Sequence, residues 1–222
     1  MLGGACGELL EFDNGAKHMQ SDRYERVVFL RGFFNHPCQV GSIVPSSRFL
    51  ERRVVELADV RAAKIVVELG AGTGGTTRAI LRAMSEGSKL LSVEISPLYH
   101  AFLGRIQDDR LISHLGSADE LRQVICHYGV DGVDAVISGI PFSTLNPASA
   151  CRILEAISSA LVPGGRFVAY QVRRLVETLC RPYFGSPRVH IELLNIPPLL
   201  VYRWEKDAKS MAAGCGFVES QE

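Results

Sequence analysis

Residues that could carry chemistry first cluster in the segment VVELGAGTGG, positions 66 to 75. An apolar run containing Glu68 breaks there into Gly70, Gly72, Gly74 and Gly75. Glycines at such a turn let the backbone approach a ligand closely. The spacing fits the dinucleotide pattern G-x-G-x-x-G and the tighter G-x-G-x-G equally well, whereas the lysine of a triphosphate-binding loop is missing from it. The turn therefore predicts a ligand site without naming the ligand.

The charge of Glu68 narrows the choice of ligand. Its carboxylate stands two residues before Gly70, at the end of a predicted strand, where it would repel a pyrophosphate and attract a cation. S-adenosylmethionine carries a sulfonium and an ammonium group and no phosphate, so the acid favours this methyl donor over a dinucleotide. The alternative is that Glu68 only orients the loop through hydrogen bonds.

Two further acids follow the next two predicted strands. Glu94 in SVEIS comes about 20 residues after the glycines, where a carboxylate can accept hydrogen bonds from both hydroxyls of a ribose. Asp119 in GSADEL could accept from an adenine amine while Ala118 packs on the ring. Capping of the following helix is an equally good role for Asp119. Together these residues indicate a ligand that contains adenosine.

The segment DAVISGIPF, a fourth predicted strand and its exit loop, supplies the predicted acceptor site. Methyl transfer to an amine requires the enzyme to desolvate and align a neutral nitrogen lone pair. The backbone carbonyl of Gly139 or Ile140 could orient that nitrogen beside Ser138, and the ring of Phe142 could face the cationic product. Ordinary core packing is the alternative role for Phe142.

Strands alternate with helices along most of the chain. The predicted strands lie in KIVVELG, KLLSVEI, LISHLGSA, VDAVISGIPF, GRFVAYQV, RVHIELLNI and LLVYRWEK. The alternation predicts an α/β fold with a doubly wound, mostly parallel seven-stranded sheet. The last two strands have no helix between them, which predicts an antiparallel hairpin at one edge. In such a sheet ligands bind beyond the carboxyl ends of the strands, where the residues named above should meet.

Composition limits the partners. The chain has 222 residues with 24 basic and 24 acidic side chains, so we expect no stable nucleic-acid partner. The six cysteines are scattered without metal-type spacing, and no metal is expected. No apolar run reaches the roughly 20 residues that span a bilayer, and the first residues lack the order of a signal peptide. A cytoplasmic protein is expected, and no feature sets its oligomeric state.

Four segments are expected along the chain. These are a disordered tail at 1 to 22, helices at 23 to 63 that cover the ligand cleft, a methyl-donor-binding domain at 64 to 206 and a tail at 207 to 222. Between 23 and 34, apolar residues interleave with Arg23, Arg26 and Arg31, a pattern suited to a membrane interface over anionic lipid. A helix that merely packs over the cleft is the alternative. Ser46 or Ser47 should cap the next helix.

The motifs in their order carry a family resemblance. ELGAGTG, VEIS, GSADE, DAVISGIPF and LVPGGRFVAY resemble those of Rossmann-like class I S-adenosylmethionine-dependent methyltransferases. With VGSIVPSSRFL, SGIPFSTL and NIPPLLVYRWEK, the chain resembles bacterial phospholipid N-methyltransferases, which are similar to rRNA adenine dimethyltransferases. The resemblance implies an enzyme, peripherally associated with the inner membrane, that methylates phosphatidylethanolamine toward phosphatidylcholine.

The resemblance and the residue types together assign the predicted site. Cofactor contacts are predicted at Glu68, Gly70, Ala71, Gly72, Gly74, Glu94, Ile95, Ala118, Asp119 and Ser138. Catalytic contacts with the amine are predicted at Ser138, Gly139, Ile140 and Phe142. Substrate contacts are predicted at Ser46, Ser47, Arg48, Pro141 and Tyr170. The PSSR segment offers hydroxyls and a guanidinium to a lipid phosphate, although a helix cap followed by a solvated arginine is an alternative.

Two other acceptors compete with a lipid. An rRNA adenine dimethyltransferase would need an asparagine in the acceptor motif, a basic face and an additional RNA-binding domain. This chain instead has serine in the motif and zero net charge, and it has few residues left for a further domain. Methylation of a small-molecule amine needs only the same core, so that alternative stays open. A protein that binds the cofactor without catalysis is disfavoured by the three acids.

Overall fold

The computed structural model describes residues 46 to 195 and 197 to 207. The helices are α1 (Arg48–Ala58), α2 (Gly75–Ala83), α3 (Pro97–Leu103), α4 (Leu121–His127), α5 (Pro147–Ala160) and α6 (Leu175–Phe184). The strands are β1 (Ile65–Leu69), β2 (Lys89–Glu94), β3 (Leu111–Leu115), β4 (Val133–Ser138), β5 (Leu161–Gln171), β6 (Arg188–Glu192) and β7 (Leu199–Glu205). Single 3-10 turns lie at Ala118–Glu120 and Phe142–Thr144.

The strands form one sheet in the order β3-β2-β1-β4-β5-β7-β6. The pairs from β3 to β5 are parallel, whereas β7 pairs antiparallel with both β5 and β6. β6 therefore runs in the same direction as the first five strands, and β7 is the one reversed strand of the described sheet. The predicted α/β, doubly wound, mostly parallel seven-stranded sheet is confirmed. Its switch point lies between β1 and β4, where a ligand is expected.

Alternating side chains on β1 fix the strand that carries Glu68. Val67 and Leu69 pack on the face covered by α4, α5 and α6, whereas Val66 packs on the opposite face against α1 and α2. All three are fully buried. Each such side chain contributes roughly 1.5–3 kcal/mol of transfer free energy. The carboxyl end of β1 is therefore held in a defined place between the two layers of helices.

Polar caps set where the helices on either side of the sheet begin. Ser47 Oγ accepts a hydrogen bond from Leu50 N at the start of α1, as predicted for Ser46 or Ser47. Asn146 Oδ1 accepts from Ser149 N at the start of α5, and Pro147 occupies the first helical position.

The sequence pattern does not predict α6. Pro182 lies inside this helix, and a proline normally argues against one because it lacks a backbone donor. β6 also ends at Glu192, well before the end of the strand predicted for RVHIELLNI. The predicted helix at 23 to 34, the tail at 1 to 22 and all but Asp207 of the tail at 207 to 222 lie outside the described residues. None of the helices described here has the length and apolar character needed to cross a bilayer.

Candidate active site

The loops that follow β1 and β4 meet at the switch point of the sheet. Gly70 N donates to the carbonyl of Val93, and Gly139 N donates to the carbonyl of Leu69, each at 2.9 Å. A Cβ atom added to Gly70 would lie 3.2 Å from Cγ1 of Ile140. The predicted cofactor turn and the predicted acceptor loop are therefore in direct contact.

The glycine turn has a backbone that only glycine adopts readily. Gly70, Gly72 and Gly74 have φ angles of +77°, +55° and +79°. No atom lies within 4 Å of the position a Cβ would take on Gly72, so the space beside this residue is open. Gly74 is the N-cap of α2 and offers it no side-chain hydrogen bond. The turn thus presents backbone and the amino end of a helix to the cleft.

Glu94 ties the glycine turn to the end of β2. Its Oε2 accepts a hydrogen bond from Gly72 N and its Oε1 accepts one from Ser96 N, both at 2.8 Å. Burial raises the pKa of this carboxyl above its usual range, against the lowering effect of the backbone donors. Each carboxylate oxygen has a second lone pair, which leaves acceptor capacity for the ribose hydroxyls predicted to bind there.

Glu68 is a buried carboxyl with one unused oxygen. Its Oε2 accepts hydrogen bonds from Thr77 Oγ1 at 2.7 Å and from Ser92 Oγ at 2.8 Å. Its Oε1 is buried and makes no hydrogen bond. Desolvation raises the pKa of Glu68 to about 7, and the neighbouring charge of Glu94 adds to the rise. The two hydroxyl donors orient Glu68 firmly, which fits the alternative interpretation of this acid as well as a role toward a ligand.

These features suit a cationic nucleoside such as S-adenosylmethionine. Burial raises the pKa of both carboxyls beside the glycine turn, and a nearby positive charge would offset that effect because it stabilises their ionised forms. The orphaned Oε1 of Glu68 is a buried acceptor of the kind that normally finds a partner. A pyrophosphate in the turn would instead lie beside the carboxyl of Glu68, which would repel it. The residues present therefore fit the methyl donor better than a dinucleotide.

Asp119 is anchored to α5 rather than capping a helix. Its Oδ2 accepts from Ser149 Oγ and from Arg152 Nη2, each at 2.9 Å. Ser117 caps the 3-10 turn, and Glu120 stands at the N-cap position of α4. The capping role considered for Asp119 is therefore wrong. Its predicted contact with an adenine amine stays a prediction.

Gln171, a residue that the sequence analysis did not select, holds the acceptor loop in place. Ile140 O accepts a 2.6 Å hydrogen bond from Nε2 of Gln171, the last residue of β5. Ser138 is fully buried, and its Oγ accepts from Ile140 N at 3.3 Å. Since the carbonyl of Ile140 already has a donor, the carbonyl of Gly139 is the better candidate to orient an amine.

Phe142 does not present its ring to solvent. It is 1% exposed and belongs to the core cluster formed with α5 and α6. The expectation that its face covers the cationic product is not what the structure shows, because the 3-10 turn that begins at Phe142 directs the ring into the core. The core-packing alternative describes this residue.

Ser46 and Tyr170, two of the predicted substrate residues, lie in one polar cluster beside the contact between the loops after β1 and β4. Thr76 Oγ1 donates to Ser46 Oγ at 3.5 Å, and the Tyr170 hydroxyl lies beside both side chains. Desolvation raises the pKa of Tyr170 to about 12, so the hydroxyl keeps its proton. A Cβ added to Gly139 would lie only 2.4 Å from the Tyr170 hydroxyl oxygen. The cluster therefore touches the acceptor loop directly.

Ser47 and Arg48 have other surroundings. Ser47 caps α1, and its backbone N donates to Asn195 Oδ1 at 3.0 Å, which joins the start of α1 to the turn after β6. Arg48 is exposed and faces an open groove of about 770 Å³ between α1 and α2. The groove is lined by Ser46, Arg48, Glu51, Arg52, Val55, Ala79 and Arg82.

The remaining predicted residues lie near the same edge. Ala71 and Ala118 are buried, whereas Ile95 and Pro141 are partly exposed. The residues that sequence reasoning missed are Thr76, Thr77, Ser92 and Gln171. Most are buried polar residues at or near the ends of apolar segments, and that pattern is the signal that could have found them. Within the described residues, no group of three or more potential metal ligands occurs.

Sheet order, glycine turn and strand-end acids together have the arrangement of the class I methyltransferase fold. The chain is an S-adenosylmethionine-dependent enzyme of this class. Several solved structures share its fold. One is the 1,6-didemethyltoxoflavin-N1-methyltransferase of Burkholderia thailandensis with S-adenosylhomocysteine bound, at a TM-score of 0.61, 19% identity and coverage of 83% of this chain and 90% of that one. Another is an O-methyltransferase from Bacillus cereus in complex with S-adenosylhomocysteine, at a TM-score of 0.59, 16% identity and coverage of 83% and 91%.

Sequence comparison points to a more particular relative. An ornithine lipid N-methyltransferase from Singulisphaera acidiphila is 28% identical over 181 residues, which cover 79% of this chain and 93% of that protein. This relative supports the resemblance to lipid N-methyltransferases seen in the motifs. No protein-family model matches the chain.

Proposed function

We propose that this protein transfers a methyl group from S-adenosylmethionine to the primary amine of a lipid headgroup. The observation that carries the proposal is the direct contact between the glycine turn and the acceptor loop through Gly70, Gly139 and Ile140. The lipid acceptor is supported by similarity to ornithine lipid N-methyltransferase over nearly the whole length of that relative. A methyl donor in the turn and an amine at the loop would then be neighbours.

The chain's part in the reaction is alignment and desolvation. The bound cofactor supplies an electrophilic methyl on a sulfonium. As the nitrogen–carbon bond forms, the carbon–sulfur bond breaks, the positive charge passes to the amine, and the extra proton leaves to solvent. Because the nitrogen must attack as a neutral lone pair, a site that excludes water and accepts its N–H favours reaction. The carbonyl of Gly139 is the acceptor we assign to this role, and the buried hydroxyl of Ser138 supports the loop by accepting from Ile140 N.

The polar cluster of Ser46, Thr76 and Tyr170 closes one side of this acceptor position. Its hydroxyls can accept from an ammonium and donate to an adjacent oxygen, as a headgroup requires. Glu68 lies close enough for its charge to raise the pKa of Tyr170. The cluster and the carboxylate together make this wall of the site receptive to cations.

The groove that begins at Ser46 suits the rest of an amine lipid. Arg48 and Arg82 offer positive charge, while Val55 and Ala79 supply an apolar lining. Arg82 lies 3.6 Å from Glu51, so Arg48 is the guanidinium more readily available to an anion. Ethanolamine phospholipids and ornithine lipids both combine a primary amine with an anionic group, and either could place that anion here.

Phosphatidylethanolamine, converted stepwise toward phosphatidylcholine, is the acceptor we propose first, and ornithine lipid is the competing acceptor of the same chemistry. We also propose that the enzyme works peripherally at a membrane surface, because its acceptor resides there. A small-molecule amine or an rRNA adenine would contradict the lipid assignment.

Incubation with labelled methyl donor and separate acceptors tests this function. The acceptors are phosphatidylethanolamine, its monomethylated form, ornithine lipid, free ethanolamine and ribosomal RNA. Label in either lipid, with none in ethanolamine or RNA, is the expected result, and the labelled headgroup identifies the acceptor. A Glu94→Ala variant, which removes the acceptor of Gly72 N, serves as the inactive control. Label confined to free ethanolamine or RNA would contradict the assignment of a lipid acceptor.

A further inference from the structure

The turn after β6 reverses the usual placement of polar and apolar residues. Glu192 and Asn195 are buried, at 5% and 3% exposure, whereas Leu193 and Leu194 between them are 71% and 60% exposed. Protein surfaces normally expose acids and amides and bury leucines. This turn therefore presents its apolar side chains outward.

Hydrogen bonds hold that arrangement in place. Glu192 Oε1 accepts from Leu194 N at 3.1 Å, and its Oε2 lies 3.6 Å from Arg53 Nε. Asn195 bridges two segments, because Oδ1 accepts from Ser47 N and Nδ2 donates to Pro197 O. The outward position of the two leucines is thus built into the turn and linked to the start of α1.

The loop after β5 repeats the pattern and adds positive charge. Gln171 is buried against the acceptor loop, whereas Val172 and Leu175 are 43% and 45% exposed on either side of exposed Arg173 and Arg174. β5 and β6 run in the same direction on either side of β7, so the two loops lie roughly 10 Å apart at one edge of the sheet. We call Val172, Arg173, Arg174, Leu175, Leu193 and Leu194 the rim.

The rim belongs to the most apolar side of the described protein. Other exposed large hydrophobic residues, Phe49, Leu98 and Leu115, also lie at the carboxyl edge of the sheet, and the exceptions are Val189 and Ile191 on β6 itself. Within the described part of the chain, neither Arg173 nor Arg174 makes an ion pair. Exposed leucine and valine beside unpaired arginines are the composition of a surface that rests in a membrane interface over anionic headgroups.

We propose that the rim docks the protein on an anionic lipid bilayer, a proposal that rests on the lipid acceptor proposed above. The aliphatic side chains enter the interface and the arginines contact headgroup phosphates. Gln171 and Asn195 connect the rim to the acceptor loop and to the start of α1. The methyl-transfer site therefore faces the membrane, and an amine headgroup reaches it without leaving the bilayer.

Cosedimentation of the full-length protein with vesicles tests the rim. On vesicles with about one-third phosphatidylglycerol, Arg173→Glu/Arg174→Glu should lower partitioning at least about 25-fold, since each arginine contributes roughly fivefold. Leu193→Ser/Leu194→Ser should lower it about tenfold or more because two apolar side chains are lost. Calorimetric binding of S-adenosylmethionine verifies that both variants are folded.

A matched control reverses the same amount of charge elsewhere. Arg61 and Lys64 are exposed between α1 and β1, at the opposite edge of the sheet. Arg61→Glu/Lys64→Glu should sediment like the wild type. Equal sedimentation of the rim variants and the wild type would overturn the proposal. So would rim variants that convert a wild-type dimer into monomers in light scattering, because a second copy would then be the occupant of the rim.

Activity on two forms of the same lipid separates this proposal from the proposed function. Rim variants should methylate a short-chain, water-soluble amine lipid at the wild-type rate and lose activity only on vesicles. A wild type that methylates neither form contradicts the proposed function, while sedimentation still decides the role of the rim. Rim variants that lose activity equally on both forms contradict a docking role.

Discussion

The side-chain amide of Gln171 and the backbone carbonyl of Ile140 form a 2.6 Å hydrogen bond that fixes the acceptor loop to the end of β5. Gln171 is 6% exposed, so its side-chain amide has little access to water as a substitute partner. A buried carbonyl that loses its donor costs about 1–3 kcal/mol, and a loop can avoid that cost by moving. The position of the loop therefore depends on one side chain outside the loop.

Replacement of Gln171 by leucine should reduce kcat more than cofactor binding. We expect a loss of at least about tenfold in kcat, because the loop that orients the amine would shift, and an affinity for S-adenosylmethionine within about twofold of the wild type. Steady-state kinetics and calorimetry measure the two quantities. Gln123→Leu, at an exposed position on α4, is the matched control. Unchanged kcat in Gln171→Leu would show that the bond has no part in positioning the acceptor.

Glu68 should make the folded protein less stable as the pH rises. Its pKa is about 7 in the folded protein against an ordinary value of 4.5, so between these values the folded state binds the proton more strongly. The contribution of Glu68 to the free energy of unfolding is fully present below about pH 4.5. It is lost as the pH rises through 7, which lowers the free energy of unfolding by about 3 kcal/mol. Glu68→Gln keeps the side chain neutral, so the wild-type minus variant difference in free energy of unfolding should follow that curve. A difference that does not vary with pH would contradict the raised pKa.

Cofactor binding should release a proton from the same carboxyl. A bound cation stabilises ionised Glu68, so affinity for S-adenosylmethionine should increase as the pH rises from about 6 to about 8. Calorimetry in buffers of different ionisation enthalpy measures the released proton directly. In Glu68→Gln both the proton release and the pH dependence should disappear. Proton release of equal size in the variant would assign it to another group.

The sequence predicts the fold more completely than it predicts the contacts within the site. The apolar runs and their alternation with helices indicate a parallel sheet, and the strand-end positions of Glu68 and Glu94 follow from that order alone. Their partners do not follow, because Thr77 reaches Glu68 only through the packing of α2 against the sheet. Phe142 shows the same limit. Its burial depends on a cluster that includes Val176 and Cys180 of α6. The sequence does not predict this helix, because Pro182 lies inside it.

Arg48 should affect the binding of a lipid acceptor and leave the chemical step intact. It is exposed on the groove next to Ser46, so its predicted partner is the anion of the headgroup. Arg48→Gln should raise KM for an amine lipid about tenfold with little change in kcat, as for loss of a charge-assisted contact made equally in ground and transition states. Arg61→Gln, on the far side of α1, controls for net charge. A fall in kcat at constant KM would instead place Arg48 in the alignment of the reacting groups.

Gly139 and Tyr170 should show coupled effects on activity. A Cβ at position 139 would lie 2.4 Å from the Tyr170 hydroxyl oxygen, 2.9 Å from its Cζ and 3.1 Å from the carbonyl of Gly70, so Gly139→Ala must displace the acceptor loop or the tyrosine. We expect at least a tenfold loss of kcat, on the order of 1.4 kcal/mol of transition-state stabilisation. Tyr170→Phe removes the nearest of these atoms. The double variant should therefore be more active than the product of the two single effects, with a coupling free energy of about 0.5–3 kcal/mol. Kinetics on the four proteins of this cycle measure the coupling, and strictly additive effects would mean that the tyrosine hydroxyl does not limit the space at position 139.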